Sequence, residues 1–375
     1  MSSQSAPAKS RRKPKVLITG AAGGLAGVAV EFLSRNFKLV GADLRAAPLG
    51  RHKFPGEFHQ VDYNHRKMAE IFREHSFDAL LHLGRMPTVS SSRSSIRYNT
   101  NVLGTQNLLT LAKKYGVKQV VVVSTYHVYG AHQHNHVHIA ESDPLRASQI
   151  FPELVDAIEL DHVSRMFLLQ NPEIRTVILR PVSVVGPRLS NQITRLLRAQ
   201  LCPVLLGYDP MMQFIHESDF ARALKLALEG EHSGVYNVAG EGAVPYQRAV
   251  RLAGATPVPV PHFLVYAALN ALSQVGVGFP KHLVDYFRYP TIVSDDAFRR
   301  DFQFVPSVTV TEALASIRAA VHENPSPEPG GNGESESQDV GAVAPVSRAQ
   351  KLRDRHQRAQ KLAEGTKPVG NRQQK

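Results

Sequence analysis

Short apolar runs recur at 16–18, 39–42, 79–83, 119–124 and 176–179, each separated from the next by a longer segment patterned as helix. Near-continuous apolar strands alternating with helices predict a parallel sheet buried on both faces. Helices are expected over 25–35, carrying Val28, Val30, Phe32 and Leu33, over 96–115 and over 154–169. Beyond Pro187 the pattern mixes helices with short strands such as 234–239. The expected fold class is α/β: a Rossmann-like doubly wound sheet with a smaller C-terminal lobe. The expected division is a basic disordered tail (1–14), a nucleotide-binding domain (15–186), a mixed segment completing the sheet and forming the lobe (187–323) and a disordered tail (324–375).

The first strand breaks into Thr19-Gly20-Ala21-Ala22-Gly23-Gly24-Leu25-Ala26, a glycine-rich turn that opens a helix. A dinucleotide pyrophosphate needs close backbone approach, free N–H groups and the positive end of a helix dipole. Gly20 would make the tight turn, Gly23 would admit the phosphates, and Ala26 would keep the helix close to the sheet. A glycine turn alone is a weak signal. It gains weight because the second strand ends in Asp43, about 20 residues on, where an acid can bind ribose hydroxyls. Asp43 repels a 2′-phosphate, while Arg45 could attract one, so NAD is favoured over NADP.

Composition narrows the classes. The one cysteine, Cys202, excludes a disulfide framework and a cysteine-rich zinc site, and it suits a reducing compartment. No apolar leader follows Met1, and the most apolar window, 261–280, is interrupted by Asn270, Ser273 and Gln274. A cytoplasmic protein without a transmembrane segment is expected. The net charge of +12 suggests nucleic acid until it is mapped. The first 15 residues hold five cations and no acid, and the last 30 hold nine cations against two acids. The basicity therefore sits in tails without interleaved aromatics, and no specific nucleic-acid partner is expected.

Further motifs follow in order: Val61-Asp62, Leu81-His82-Leu83-Gly84, Asn101-Val102-Leu103-Gly104-Thr105, Val123-Ser124-Thr125 through Val128-Tyr129-Gly130, Leu179-Arg180-Pro181, Phe214 to Asp219 and Val235 to Ala239. With the glycine turn and Asp43, they resemble the extended short-chain dehydrogenase/reductase family, the NAD-dependent epimerase/dehydratase group, over about residues 15–320. The resemblance implies a Rossmann domain with the substrate cleft against the smaller lobe. It places Gly20, Gly23, Gly24 and Leu25 at the pyrophosphate, Asp43 at the adenosine ribose, and Asp62 and Tyr63 near the adenine. Leu83, Gly84 and Arg85 would line the inner cofactor wall, Asn101 would touch the cofactor or merely tie its helix to a strand, and Pro181 and Val184 would border the nicotinamide. It also implies a homodimer through the helices at 96–115 and 154–169.

The family's chemistry is hydride transfer at a carbinol or ketone, helped by a Tyr-x-x-x-Lys pair and a Ser or Thr that orients the substrate oxygen. Thr125 holds the Ser/Thr position. The pair is missing: there is no Tyr between Tyr129 and Tyr208 and no Lys between Lys118 and Lys225. Replacement acids are sought among Tyr126, His127, Asp156, Glu159 and His162, with Asp156 and Glu159 preferred because one helix face carries both. Met212 stands where sugar-nucleotide members carry an arginine for the diphosphate, and a thioether cannot pair with phosphate. Arg188 and Arg195 remain as candidates to grip some other anion. The run His132 to His138 reads as a polar lid, and no metal site is expected. Two functions fit: an oxidoreductase or epimerase with a substituted acid, acting on a non-nucleotide substrate, or a non-catalytic NAD(H)-binding sensor or scaffold.

Overall fold

The structure, a computed structural model, describes residues 12–48, 53–86, 94–265 and 282–323. Residues 1–11 and 324–375 of the expected tails, and most of the apolar window at 261–280, lie outside the described residues.

In chain order the elements are β1 (Lys15–Thr19), α1 (Gly24–Leu33), β2 (Lys38–Asp43), β3 (Glu57–Gln60), α2 (Arg66–Glu74), β4 (Ala79–His82), α3 (Ser94–Tyr98), α4 (Gly104–Lys114), β5 (Gln119–Val123), α5 (Ala147–Ile150), α6 (Val155–Gln170) and β6 (Arg175–Pro181). There follow β7 (Ser183–Val185), α7 (Gln192–Arg198), β8 (Leu201–Leu205), β9 (Met211–Met212), β10 (Phe214–His216), α8 (Glu217–Glu229), β11 (Gly234–Val238), β12 (Val244–Pro245), α9 (Tyr246–Leu252), β13 (Thr256–Val260), α10 (His282–Tyr286), α11 (Asp296–Phe302) and α12 (Val310–Glu323).

Seven strands form one parallel sheet in the order β11-β6-β5-β4-β1-β2-β3. Strands such as Gln-Val-Val-Val-Val in β5 are buried on both faces, as their unbroken apolar pattern demands. Val16, Ile18, Leu81, Val121 and Val177 meet α1 and α8 through Ala26, Val30, Phe220 and Leu224. On the other face Leu17, Leu80, Val120 and Val122 meet α2, α4 and α6 through Ile71, Leu108 and Leu160. The chain leaves β1 toward β2 on one side and later returns to β4 on the other, so a crevice opens at the carboxyl ends of β1 and β4.

Three two-stranded sheets, β10 with β7, β12 with β9 and β13 with β8, belong to the C-terminal lobe. Its core contains Cys202, Met212, Phe214, Tyr246, Leu314 and Ile317. The strand expected at 234–239 is β11, which completes the main sheet beside β6.

The helix expected over 96–115 runs without a gap over 94–114, but its winding is not uniform. Between α3 and α4, residues Asn99–Leu103 form a π-helical segment. Such segments are uncommon and gather at functional sites.

Candidate functional site

At the mouth of the crevice the glycine turn has the geometry its sequence requires. Gly20 has φ +76°, and a Cβ there would lie 2.5 Å from the Gly84 nitrogen, so neither conformation nor space admits a side chain. Gly23 is the N-cap of α1 and offers no side-chain cap, and the first turn of the helix holds no acid. The helix N-terminus is thus left for an outside anion. Ala22, Gly23, Gly24, Gly27 and Arg188 line a cavity of about 210 Å³ beside it. Leu25 packs partly buried against the core behind this turn.

Asp43 ends β2 almost wholly buried. Its carboxylate accepts from the Ala22 N–H at 2.9 Å and the Arg45 N–H at 2.9 Å, and the Arg45 Nε donates to it at 3.2 Å. The acid therefore fixes the glycine turn to β2. The Arg45 side chain is half exposed.

Two expected adenine contacts behave differently. Asp62 is exposed and accepts from the Asn64 N–H in a local turn. Tyr63 is buried at 2 % exposure, its phenol edge-on to His82 and wedged where a Cβ on Gly84 would go. It supports the glycine turn from behind. Burial pushes its phenol well above the usual range. His82 is buried between the Thr19 and Thr105 hydroxyls, at 2.6 and 2.9 Å, and burial lowers its pKa to about 4, so it is neutral at pH 7.

The inner wall is built by Asn101. Its Oδ1 accepts from the Met86 N–H at 2.7 Å, and its Nδ2 donates to the Met86 carbonyl at 3.0 Å and to Asp156. The amide is fully engaged, so Asn101 ties the π-helical segment to the loop after β4 and thereby positions Leu83 and Gly84. Arg85 is partly buried nearby; burial lowers its pKa while Asp156 opposes that shift. Pro181 ends β6 beside Val238, and Val184 lies in β7 beside Ile215.

The two acids expected on α6 lie in different settings. Asp156 is 4 % exposed and held by Asn101 and the Arg97 Nε at 3.2 Å, so it braces the wall. Glu159 is 42 % exposed in its side chain and lies 4.0 Å from His162. No hydrogen bond among the described residues joins either to Thr125. The group that does reach Thr125 is His127: its Nδ1 lies 2.9 Å from the Thr125 Oγ1. The short 3-10 turn Tyr126–Tyr129, capped by Thr125, brings the two together. The Tyr286 ring stands edge-on to His127, and its hydroxyl donates to the His127 carbonyl at 2.6 Å. Tyr126 donates to or accepts from Ser183 at 3.3 Å, and burial pushes its phenol up to about 12, too high for a base near neutrality. An x-His two residues after the Ser/Thr was visible in the sequence. The hydroxyl–imidazole contact was not.

Below Thr125 a buried polar network holds the strand ends. Arg180 and Asp161, both 0 % exposed, pair bidentately at 2.9 and 2.6 Å. Ser124 donates to Asp161, Arg180 donates to the Tyr129 hydroxyl, and Tyr129 donates to Asn237. Burial works against the Arg180 charge, and Asp161 more than offsets it, keeping the guanidinium protonated.

The other anion candidates are also engaged. Arg188 pairs with Glu217 at 2.8 Å and Glu31 at 2.6 Å, and the Arg195 Nε donates to Ser190. Met212 is 7 % exposed among apolar neighbours, so no cation occupies its position. The histidine run does not line up as an extended strip: His136 lies 3.1 Å from Asp143, and Asn135 donates to the Gly130 carbonyl.

This glycine turn, acid-ended second strand and switch-point crevice define a dinucleotide-binding Rossmann protein. A profile of the NAD dependent epimerase/dehydratase family matches residues 16–239, and the chain belongs to that family. An uncharacterized protein of Mycobacterium tuberculosis is 29% identical over 313 residues, spanning 80% of this chain and 82% of that protein. UDP-glucose 4-epimerase 2 of Arabidopsis thaliana is 31% identical over 193 residues, 48% of this chain and 54% of that one. Among solved structures, UDP-glucose 4-epimerase from Thermotoga maritima with UDP-glucose superposes with a TM-score of 0.68 at 19% identity, covering 82% of this chain and 99% of that one. MoeE5 in complex with UDP-glucuronic acid and NAD gives 0.66 at 22%, covering 83% and 100%.

Proposed function

We propose that the chain binds NAD across the β1/β4 crevice and acts as an oxidoreductase or epimerase on a substrate that is not a nucleoside-diphosphate sugar. The observation that carries this reading is the open N-terminus of α1 behind Gly20 and Gly23. Gly23, Gly24 and Leu25 would hold the pyrophosphate and Asp43 the ribose, while Leu83, Gly84, Pro181 and Val184 would border the nicotinamide. Bound NAD would supply the hydride acceptor or donor.

The chain itself manages the proton. A substrate oxygen on Thr125 Oγ1 passes its proton to that hydroxyl as Thr125 donates its own to His127 Nδ1. Imidazole, which ordinarily titrates near neutrality, is well matched to this role. Met212 supports exclusion of nucleoside-diphosphate sugars, and little turnover of UDP-glucose is expected.

Isothermal titration of the full chain tests the cofactor site. One NAD site per chain is expected, with NADP weaker. Gly23→Val should weaken NAD by about tenfold or more, because a side chain there blocks the phosphates. In the free protein a Cβ at Gly23 lies 3.1 Å from the Gly20 carbonyl oxygen, a contact small shifts can relieve, so this variant should fold. Unchanged affinity in the folded variant would remove the reading.

The lost Tyr/Lys pair favours a second reading, a non-catalytic NAD(H) sensor or scaffold. NAD binding without any cofactor absorbance change against fractionated metabolites would select it.

Either reading includes a homodimer. Ile96, Tyr98, Leu103, Met166 and Leu169 are 38–72% exposed on the π-containing helix and on α6, which pack together. Large apolar side chains concentrated on paired helices suit an isologous contact. Light scattering should give a dimer for the wild type and a monomer for Met166→Glu with Leu103→Glu. A monomeric wild type at micromolar concentration contradicts the dimer.

A further inference from the structure

At the far edge of the sheet, toward the amino ends of the strands, β3 carries Glu57 and His59 on one face, since alternate strand residues point the same way. α2 ends at its C-cap, His75, whose ring lies 5.9 Å from that of His59. The Nε2 of His59 is 3.1 Å from Glu57 Oε1, and the Nε2 of His75 is 3.4 Å from the same oxygen. One ligand atom from each residue lies within 4.8 Å of the other two.

Closeness alone would suit a carboxylate accepting from two rings. The directions do not: both Nε2 atoms are buried and neither has a hydrogen-bond partner. A buried nitrogen left without a partner is costly. A cation between the three groups would engage both nitrogens and the carboxylate together. Two imidazoles with one carboxylate suit zinc, which takes three protein ligands and leaves a fourth place for water. Glu57 and His75 line a groove of about 470 Å³, which supplies the solvent side for that water.

We propose that Glu57, His59 and His75 form a binding site for a divalent transition metal, zinc above others, which clamps the edge strand β3 to the end of α2. The site is separate from the cofactor crevice. Arg12, Lys13, Lys15 and Lys38 also line the groove, and their repulsion weakens cation binding there. Lys15 Nζ lies 3.4 Å from His75 Nδ1. With metal on Nε2 the ring proton moves to Nδ1, and the Lys15 ammonium turns away on its flexible stem.

The test is zinc titration of the untagged full chain by calorimetry, in a background with His132, His134 and His136 changed to Asn so that the loop cannot bind. One site per chain is expected, with a rise in melting temperature and, with cobalt, the visible absorption of a four-coordinate site. His59→Ala and His75→Gln should each weaken zinc about tenfold or more, and Lys15→Met should tighten it. Zinc affinity unchanged in folded His59→Ala and His75→Gln overturns the proposal, as does no binding in the loop-silenced background. Should those two variants fail to fold, Glu57→Gln decides, because Glu57 is exposed: undiminished zinc affinity there overturns the site equally.

Discussion

Asp161→Ala should cost about 3–5 kcal/mol of folding stability, a fall in melting temperature on the order of 10 °C. The magnitude follows from what remains behind. Arg180 is 0 % exposed, and its guanidinium would keep only the Tyr129 hydroxyl and the Glu141 carbonyl, neither of them charged. Ser124 would lose its acceptor as well. A buried cation without its counter-charge is far more expensive than the pair itself is valuable. For that reason Asp161→Leu combined with Arg180→Met should recover much of the loss. Urea unfolding checks both variants. A single-variant loss under about 1 kcal/mol would show that water reaches Arg180.

His127→Asn should lower turnover by about 10²–10⁴, the usual worth of general acid–base help. The substrate to use is whichever metabolite fraction changes the cofactor absorbance with wild-type protein. Thr125→Val should produce a loss of similar size, and the double variant little more, since hydroxyl and imidazole act as one relay. NAD affinity should hold in all three. The decisive contrast is Glu159→Gln, which should turn over as wild type because its side chain lies on the half-exposed outer side of α6. Loss of rate in Glu159→Gln with normal rate in His127→Asn would return the acid to α6 and sink the relay.

These predictions separate what the chain revealed in one dimension from what it concealed. The sheet, the glycine turn and Asp43 were legible because their signals are local: an apolar run, a φ only glycine tolerates, an acid at a strand end. β11 was found as a strand, and its place beside β6 belongs to the long-range order of the sheet. Which group serves as the acid was not legible, for a physical reason. Asp156 and Glu159 share a helix with the position the missing pair would take, but spacing cannot say which carboxylate is already engaged. Arg97 and Asn101, more than 50 residues earlier, hold Asp156. The inward turn of Tyr63, which props Gly84, was hidden in the same way. The Glu57–His59–His75 cluster escaped because its third member comes 16 residues later, from another element.

The π-helical segment Asn99–Leu103 has a consequence for how this chain can vary. A wider turn places one more residue in the helix than regular winding would, and one residue is about 100° of rotation. α3 and α4 are therefore out of phase, and the phase error points the Asn101 amide at Met86 and Asp156. Removing a residue there would give a more regular helix and swing that amide off its partners. Surface loops absorb insertions and deletions as changes in length. Here the same event would act as a change in angle, so this stretch tolerates substitution far better than any shift in reading length.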